Sequence, residues 1–206
     1  MSYNVTPKTT GSKKLFENKF LESLTRTHVS IPISIFVIYA IALLYYSITT
    51  NTELSILSTV GIFFIGFITF TLAEYLIHRY IFHLPGNTER KEKLQYTLHG
   101  VHHEYPKDKQ RLAMPPIMSI TIGTLLLFVF RLFLGDLVFA FLPGFLVGYA
   151  CYLCVHYILH IFKPPNNKLR VLWSLHAVHH YKDQTKVFGV SSPLWDYVFG
   201  TMPDKY

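Results

Sequence analysis

The sequence is short of charge. Only 15% of its 206 residues are Asp, Glu, Lys or Arg, while half are hydrophobic. The formal net charge of +7 would fit a nucleic-acid binder in a polar chain, but this one has a mean hydropathy of +0.30. Basic flanks around apolar membrane segments fit better, and no nucleic-acid partner is expected. Cysteine is scarce as well. Cys151 and Cys154 are the only two and lie three apart within an apolar run. That excludes a disulfide framework and leaves inert helix packing as the reading of the pair. A secretory leader is not evident: the first apolar run begins near Val29, is too long, and has no small-residue cleavage motif after it. The C-terminus carries no dilysine or KDEL-type retrieval signal, so the bacterial inner membrane is expected in preference to the endoplasmic reticulum.

Long hydrophobic runs are what the chain has. They lie at about 29–49, 54–77, 117–134 and 137–160, each close to the ~20 residues that cross a bilayer. Thr50, Asn51, Thr52 and Glu53 join the first two, and Gly135 and Asp136 join the last two. Such short links imply two antiparallel hairpins. The expected fold is an all-α integral membrane protein of four transmembrane helices, with a helical cap built from 78–116 and 161–206. Residues 1–28 form a polar tail, expected to be partly disordered or to lie on the membrane, and 29–206 one membrane domain.

Positive charge fixes the expected orientation. The tail carries five Lys or Arg, the loop after the second run seven, and the segment after the fourth run six. Only Arg131 falls on the opposite side, so eighteen of nineteen share one face. The positive-inside rule makes that face cytosolic and puts both termini and the cap there. Arg131 is expected to snorkel or to pair with Asp136.

Ten of the eleven histidines fall in four clusters. His78 and His83 occur in HRYIFH; His99, His102 and His103 in HGVHH; His156 and His160 in HYILH; His176, His179 and His180 in HAVHH. His28 stands alone and reads as an interfacial residue. Residues at i, i+3 and i+4 share a helix face, so each H-x-x-H-H triplet is expected to present a stripe of three imidazoles. His78 and His83 would lie about 140° apart on an ideal helix, so they need a bend between them or two different metal partners. Leu84, Pro85 and Gly86 break the chain after them. An even number of crossings separates the clusters, so all four share the cytosolic side. Ten imidazoles exceed the roughly four ligands of one tetrahedral ion and suit two ions. Imidazole alone does not choose among iron, zinc, copper and nickel. Each hairpin is followed by one H-x-x-H-H segment, a coarse internal repeat.

Four segments carry a resemblance: EYLIHRYIFH (74–83), HGVHHEYPKDKQRLAMPP (99–116), GYACYLCVHYILH (148–160) and HAVHHYKDQTKVFGVSSPLWDYVFGT (176–201). Together they resemble the fatty acid 2-hydroxylases, within the wider fatty acid hydroxylase/sterol desaturase superfamily. Arg79, Pro106, Asp108, Arg111, Leu112, Pro115, Pro116, Gly189, Trp195 and Asp196 carry the more specific part of the likeness. The resemblance implies a four-span protein whose ten clustered histidines ligate two iron ions; zinc can take their place in purified protein. O2 would be the co-substrate and a long fatty acyl chain, free or in a sphingolipid such as ceramide, the substrate for hydroxylation at C2. An unactivated acyl C–H bond needs a redox metal, which zinc is not. The first 28 residues cannot hold the haem domain that many relatives carry, so electrons are expected from a separate electron-transfer protein. Leu153 stands where the family often has Asp. Glu74, one turn before His78, is a candidate to orient a ligating imidazole. The alternative is a superfamily hydroxylase or desaturase acting on a sterol, carotenoid or other lipid. A metal transporter is disfavoured, because the histidines gather at helix ends and not at the bilayer midplane.

Overall fold

The computed structural model describes residues 5–50, 54–84 and 87–204. Among them the chain is all helical, with no strand. Three helical stretches are long and apolar enough to cross a membrane: Ser30–Thr50, Ile56–Phe82 and Pro116–Ile161. The first is α2 (Ser30–Thr50), which follows a short α1 (Lys19–Ser23). The second is α3 (Ile56–Ile77), capped by the Ser55 hydroxyl on the Ser58 N–H (3.1 Å) and prolonged by a π-helical turn, His78–Phe82. The link residues 51–53 and the chain-breaking pair Pro85 and Gly86 lie outside the described residues.

The third stretch spans 46 residues but is not one rod. It comprises α6 (Pro116–Leu134), a single 3-10 turn at Gly135–Leu137, and α7 (Val138–Ile161). Gly135 sits at φ 55°, where a residue without Cβ reverses the chain at little cost. The Phe130 and Phe141 rings are 5.2 Å apart and the Phe130 and Phe145 rings 5.5 Å. On a straight helix eleven residues would separate the first pair by roughly 16 Å, so α6 and α7 fold back on each other. Arg131 pairs with Asp136 at 3.3 Å beside this turn, and its guanidinium lies over the Phe139 ring.

α7 is the centre of the bundle. Its residues 138–146 are all buried, whereas α2, α3 and α6 expose large apolar side chains such as Ile38, Ile41, Leu57, Phe64, Leu125, Phe128 and Leu132. That is the pattern of helices whose outer faces meet lipid. α7 packs between α2 and α3, which touch each other little. The first two long helices are therefore held together by α7 and not by direct packing as a hairpin. The contact of α3 with α7 is backbone to backbone. A Cβ on Gly144 would stand 1.8 Å from the Phe63 carbonyl oxygen, and one on Gly66 2.0 Å from that of Phe141. Small residues permit such approach where dispersion and not hydrophobicity drives helix association.

Beyond the long helices lie α4 (Glu89–Gln95), a second π-turn (Tyr96–Gly100), α5 (Val101–Glu104), α8 (Arg170–Tyr181) and α9 (Leu194–Val198). The N-terminal segment departs from the expected loose tail. Residues 8–27 are laced to the 104–111 loop: Lys8 pairs with Glu104 (2.5 Å), Ser12 donates to Asp108, and Thr27 N–H donates to the Gln110 carbonyl (2.9 Å). Arg111, with only 3% of its side chain exposed, pairs with Glu22 (2.5 Å) and donates to the Lys13 carbonyl (2.7 Å). A buried guanidinium requires a carboxylate partner; Asp108 of the same loop stands 3.7 Å away, and Glu22 of the N-terminal segment makes the closer pair. The Glu22 carboxylate is itself held down to about 2, because its N–H and Arg partners outweigh the effect of burial.

Gly144→Ala should destabilise the protein by about 1–3 kcal/mol or more through overpacking. Gly61→Ala, where nothing lies within 4 Å, should be neutral or slightly stabilising. Thermal unfolding of both variants in detergent measures the difference, and equal melting would refute the close α3–α7 contact.

Candidate metal centre

Most of the histidines reach the site from helix ends, and His176 from the middle of α8. His78 opens the π-turn that prolongs α3. In that turn the His83 N–H donates to the His78 carbonyl (3.2 Å), an i→i+5 bond. A π-turn brings residues five apart onto nearly the same face, which a regular α-helix does not. The two imidazoles therefore share one group, and the alternative of two different partners is not what is seen. Buried Gln95 ties α4 to this turn by donating to the Phe82 carbonyl (3.1 Å), and the second π-turn delivers His99. His156 and His160 occupy the last turns of α7. Trp173 of α8 donates to the Phe162 carbonyl (3.0 Å) at the end of α7, which brings His176, His179 and His180 back over the same end.

All ten clustered histidines converge, in two groups of five. One contains His78, His83, His99, His103 and His179; the other contains His102, His156, His160, His176 and His180. Within each group, one ring nitrogen per residue lies within 4.8 Å of all the others. The groups adjoin: His103 and His180 stack with centroids 4.2 Å apart. Each H-x-x-H-H triplet is split between them. The outer two histidines enter the group of their own half, and the middle one, His102 or His179, crosses into the other.

The donor set fits metal ions. Nε2···Nε2 separations are 3.1 Å (His78–His99), 2.9 Å (His99–His103), 3.0 Å (His83–His179 and His102–His156), 3.1 Å (His156–His160) and 2.8 Å (His160–His176). Two ligands about 2.1 Å from an ion and at right angles would be ~3.0 Å apart. Protonation points the same way. His78 Nδ1–H donates to the Phe188 carbonyl (2.6 Å) and His179 Nδ1–H to the Lys186 carbonyl (2.8 Å). A carbonyl only accepts, so the Nε2 atoms of these rings present lone pairs inward. Burial, reinforced by neighbouring imidazoles, pushes His83 and His179 down to about 3. The same two causes hold His99, His102, His103, His176 and His180 well below the ordinary range. All seven are neutral at pH 7, the state a metal requires. Both ring nitrogens of His180 are buried without a hydrogen-bond partner, a costly arrangement for an imidazole that ligates nothing.

Apolar rings wall the first group. Phe82 stacks on His99 (4.8 Å, 17°), and Phe188 stands 5.7 Å from both His83 and His179. On the second group, Tyr152 stacks on His156 (5.4 Å, 15°). Leu153, one turn before His156, is buried in the bundle core, and Nδ1 of His156 has no hydrogen-bond partner.

Glu74 makes no direct hydrogen bond to an imidazole. It accepts the N–H groups of Val190 (2.8 Å) and Ser191 (2.9 Å) and the Ser191 hydroxyl. Orientation of His78 falls to the Phe188 carbonyl, on the segment that Glu74 anchors. Asp196, fully buried, anchors that segment from the other side, accepting the N–H groups of Phe188 and Gly189 (both 2.8 Å) and the Thr201 hydroxyl (2.6 Å). Between the two imidazole-bound carbonyls sits Val187 at φ 57°. A β-branched residue there costs of order 1–3 kcal/mol and persists only where its surroundings hold it. Sequence reasoning noted Asp196 only as part of a pattern, since a carboxylate acting through backbone amides leaves no spacing signal.

His28 belongs to neither group. Its Nδ1 meets the Ser30 hydroxyl (2.8 Å), its ring edge packs on Tyr157 (5.7 Å), and it lines a cavity of about 390 Å³ with Arg26, Gln110 and Pro115.

The family model described as fatty acid hydroxylase matches residues 63–201. A ceramide very long chain fatty acid hydroxylase of Schizosaccharomyces pombe is 37% identical over 196 residues, covering 93% of this chain and 55% of that protein. A dihydroceramide fatty acyl 2-hydroxylase of Arabidopsis thaliana is 35% identical over 92% of this chain and 80% of its own length. The human fatty acid 2-hydroxylase is 37% identical over 79% of this chain and 45% of its own. This chain therefore spans about half the length of the fission-yeast and human proteins. Among solved structures, full-length scs7p, in which only the hydroxylase domain is visible, superposes with a TM-score of 0.84 at 33% identity, covering 94% of this chain and 73% of that one.

With five imidazoles at each position, elemental analysis of protein purified without chelators should find two ions per chain. His180→Ala, which leaves four imidazoles in its group, should hold one of its two ions more weakly and lose it first on dialysis against chelator. Retention of both ions as in the parent protein, or fewer than two in the parent protein, would contradict the grouping.

Proposed function

This chain belongs to the fatty acid hydroxylase family, and on that premise we propose that it hydroxylates C2 of a long-chain fatty acyl group, free or carried by ceramide. The observation that carries the reading is the pair of adjoining five-imidazole groups, in a chain that matches relatives bearing those names over most of its length.

We assign the ten clustered histidines as ligands of two ions, five to each. Iron is favoured over zinc because inserting oxygen into an unactivated C–H bond requires a metal that changes oxidation state; zinc can fill the same imidazoles in purified protein. When bound, the ions supply activation of O2 for the overall conversion of R–H, O2, two electrons and two protons into R–OH and water. The electrons are assigned to a separate electron-transfer protein. The chain itself fixes ligand geometry, keeps the imidazoles neutral, and excludes water with the Phe82 and Phe188 rings.

The fold supports a four-span reading, with α6 and α7 as separate crossings and the shorter helices and connecting loops forming a cap at the histidine end. On the charge bias we assign that end, and both termini, to the cytosol. The acyl chain would then reach the histidines from the bilayer while its polar head stays at the basic face. The relatives compared above are eukaryotic, so the expected preference for a bacterial inner membrane finds no support and is withdrawn. Their names likewise give no sterol or carotenoid substrate, and that alternative is set aside.

Expression in a host lacking 2-hydroxy fatty acids, followed by mass spectrometry of total lipid, tests the activity. The parent chain should produce 2-hydroxyacyl species. His179→Ala should abolish them, and His28→Ala should leave them nearly unchanged at matched expression. Full activity in His179→Ala would show the site to be misdrawn. The topology is tested by a cysteine in place of exposed Lys91, which should react only from the cytosolic side.

A further inference from the structure

The two groups differ in what stands behind their imidazoles. In the first, Nδ1 of His78 and of His179 each donate to a carbonyl, of Phe188 (2.6 Å) and Lys186 (2.8 Å). Both carbonyls belong to a single segment, residues 186–191, which is fastened at several points. Asp196 accepts the N–H groups of Phe188 and Gly189, and Glu74 those of Val190 and Ser191. The Val187 N–H donates to the Thr201 carbonyl (3.0 Å), and the Thr201 hydroxyl meets both Asp196 (2.6 Å) and the Tyr75 hydroxyl (3.0 Å). The left-handed Val187 between the two carbonyls marks a backbone held in place from outside. A Cβ on Gly189 would stand 2.2 Å from the Ser192 carbonyl oxygen and 2.8 Å from the Asp196 carboxylate, so the segment is tightly wrapped around that side chain.

The second group has no such frame among the described residues. Nδ1 of His102 and of His156 and both ring nitrogens of His180 are buried without a hydrogen-bond partner, against Nδ1 of His103 alone in the first group, among the described residues. The Leu112 carbonyl near His156 lies outside ordinary hydrogen-bonding geometry. A partner on the outer nitrogen fixes a ligating ring's tautomer and orientation and raises its basicity. Two rings of the first group have that support.

We propose that the two metal positions are inequivalent, and that Asp196 and Glu74 are positioning residues which, through residues 186–191, lock the imidazoles of His78 and His179. An ion in the first group is thereby retained, and one in the second exchanges first. This rests on the reading of the ten histidines as ligands of two ions. It goes beyond that reading by assigning different lifetimes to the two sites and by giving a role to two carboxylates that touch no ligand.

The test is release of Zn2+, a redox-silent probe, from the full chain in detergent into excess chelator. The parent protein should hold two zinc ions and release them in two phases of equal amplitude. His180→Ala, which takes one of five imidazoles from the second group, should speed the fast phase alone. Asp196→Asn replaces one accepting oxygen with an amide N–H facing a backbone N–H. It should speed the slow phase by about 10–100-fold and leave the fast phase unchanged. Thr201→Val and Glu74→Gln carry the same expectation, should Asp196→Asn fail to fold. A purely structural role for these residues would loosen both sites together. Parallel acceleration of both phases, or a single phase of two ions in the parent protein, overturns the inequivalence while leaving the two-ion reading intact. Fewer than two ions in the parent protein overturns both.

Discussion

Ten buried imidazoles, nine of which face one another across about 3 Å, form the constraint on which the rest of this structure depends. Lone pairs at that distance repel unless a proton or a cation lies between them. Burial depresses the affinity for protons, as it does at His83 and His179, and leaves a metal ion as the better partner. The protein therefore has to build a rigid frame that holds these rings together before an ion rewards it. That frame is the α3–α7 crossing. Gly66 and Gly144 let two backbones touch, and the helix ends beyond the contact carry His78 on one side and His156 and His160 on the other.

Two backbone irregularities convert this crossing into a site. The π-turn at His78–Phe82 changes the local repeat, so that residues five apart align. A second π-turn, at Tyr96–Gly100, leads into the HGVHH triplet. The carbonyl-bearing segment 186–191 then closes over the first group. It is held by two buried carboxylates, Glu74 from inside a membrane-length helix and Asp196 from the short helix α9. Neither contacts an imidazole, and both act through the backbone amides that they hold.

Much of this was legible in the sequence, and the residues show why the rest was not. Apolar runs of bilayer length and the four histidine clusters are written in residue identity alone, and the long helices fall within a residue or two of the runs. The number of histidines already called for two ions. The assignment of each histidine to a group was not legible, because a helical wheel assumes an α repeat and places each triplet on one stripe. The π-turn escaped for the same reason: the alternatives of a bend or separate partners for His78 and His83 both presupposed regular helix around it. The docking of residues 8–27 escaped because it rests on single long-range pairs such as Glu22 with Arg111, and a polar segment without periodicity gives no sign of its partner. Glu74 was noticed for its charge at membrane depth, yet its contacts are to amides more than a hundred residues away.

The division of the triplets has a consequence for how the two halves of the chain depend on each other. The first half provides four imidazoles of one group and lends His102 to the other. The second provides four of its own and lends His179 back. Four imidazoles would satisfy a tetrahedral ion, so a simple duplication of helix pair and H-x-x-H-H segment could have produced two self-sufficient sites. The exchange of one ligand in each direction removes that independence. Neither group is complete until both H-x-x-H-H segments have docked over the ends of α3 and α7. An ion bound in either group would therefore stabilise the contact between the halves as well as the histidines that hold it. In a bundle whose first two long helices touch each other little, the exchanged histidines join the first half of the chain to the second together with α7 and the 186–201 segment that Glu74 and Tyr75 hold.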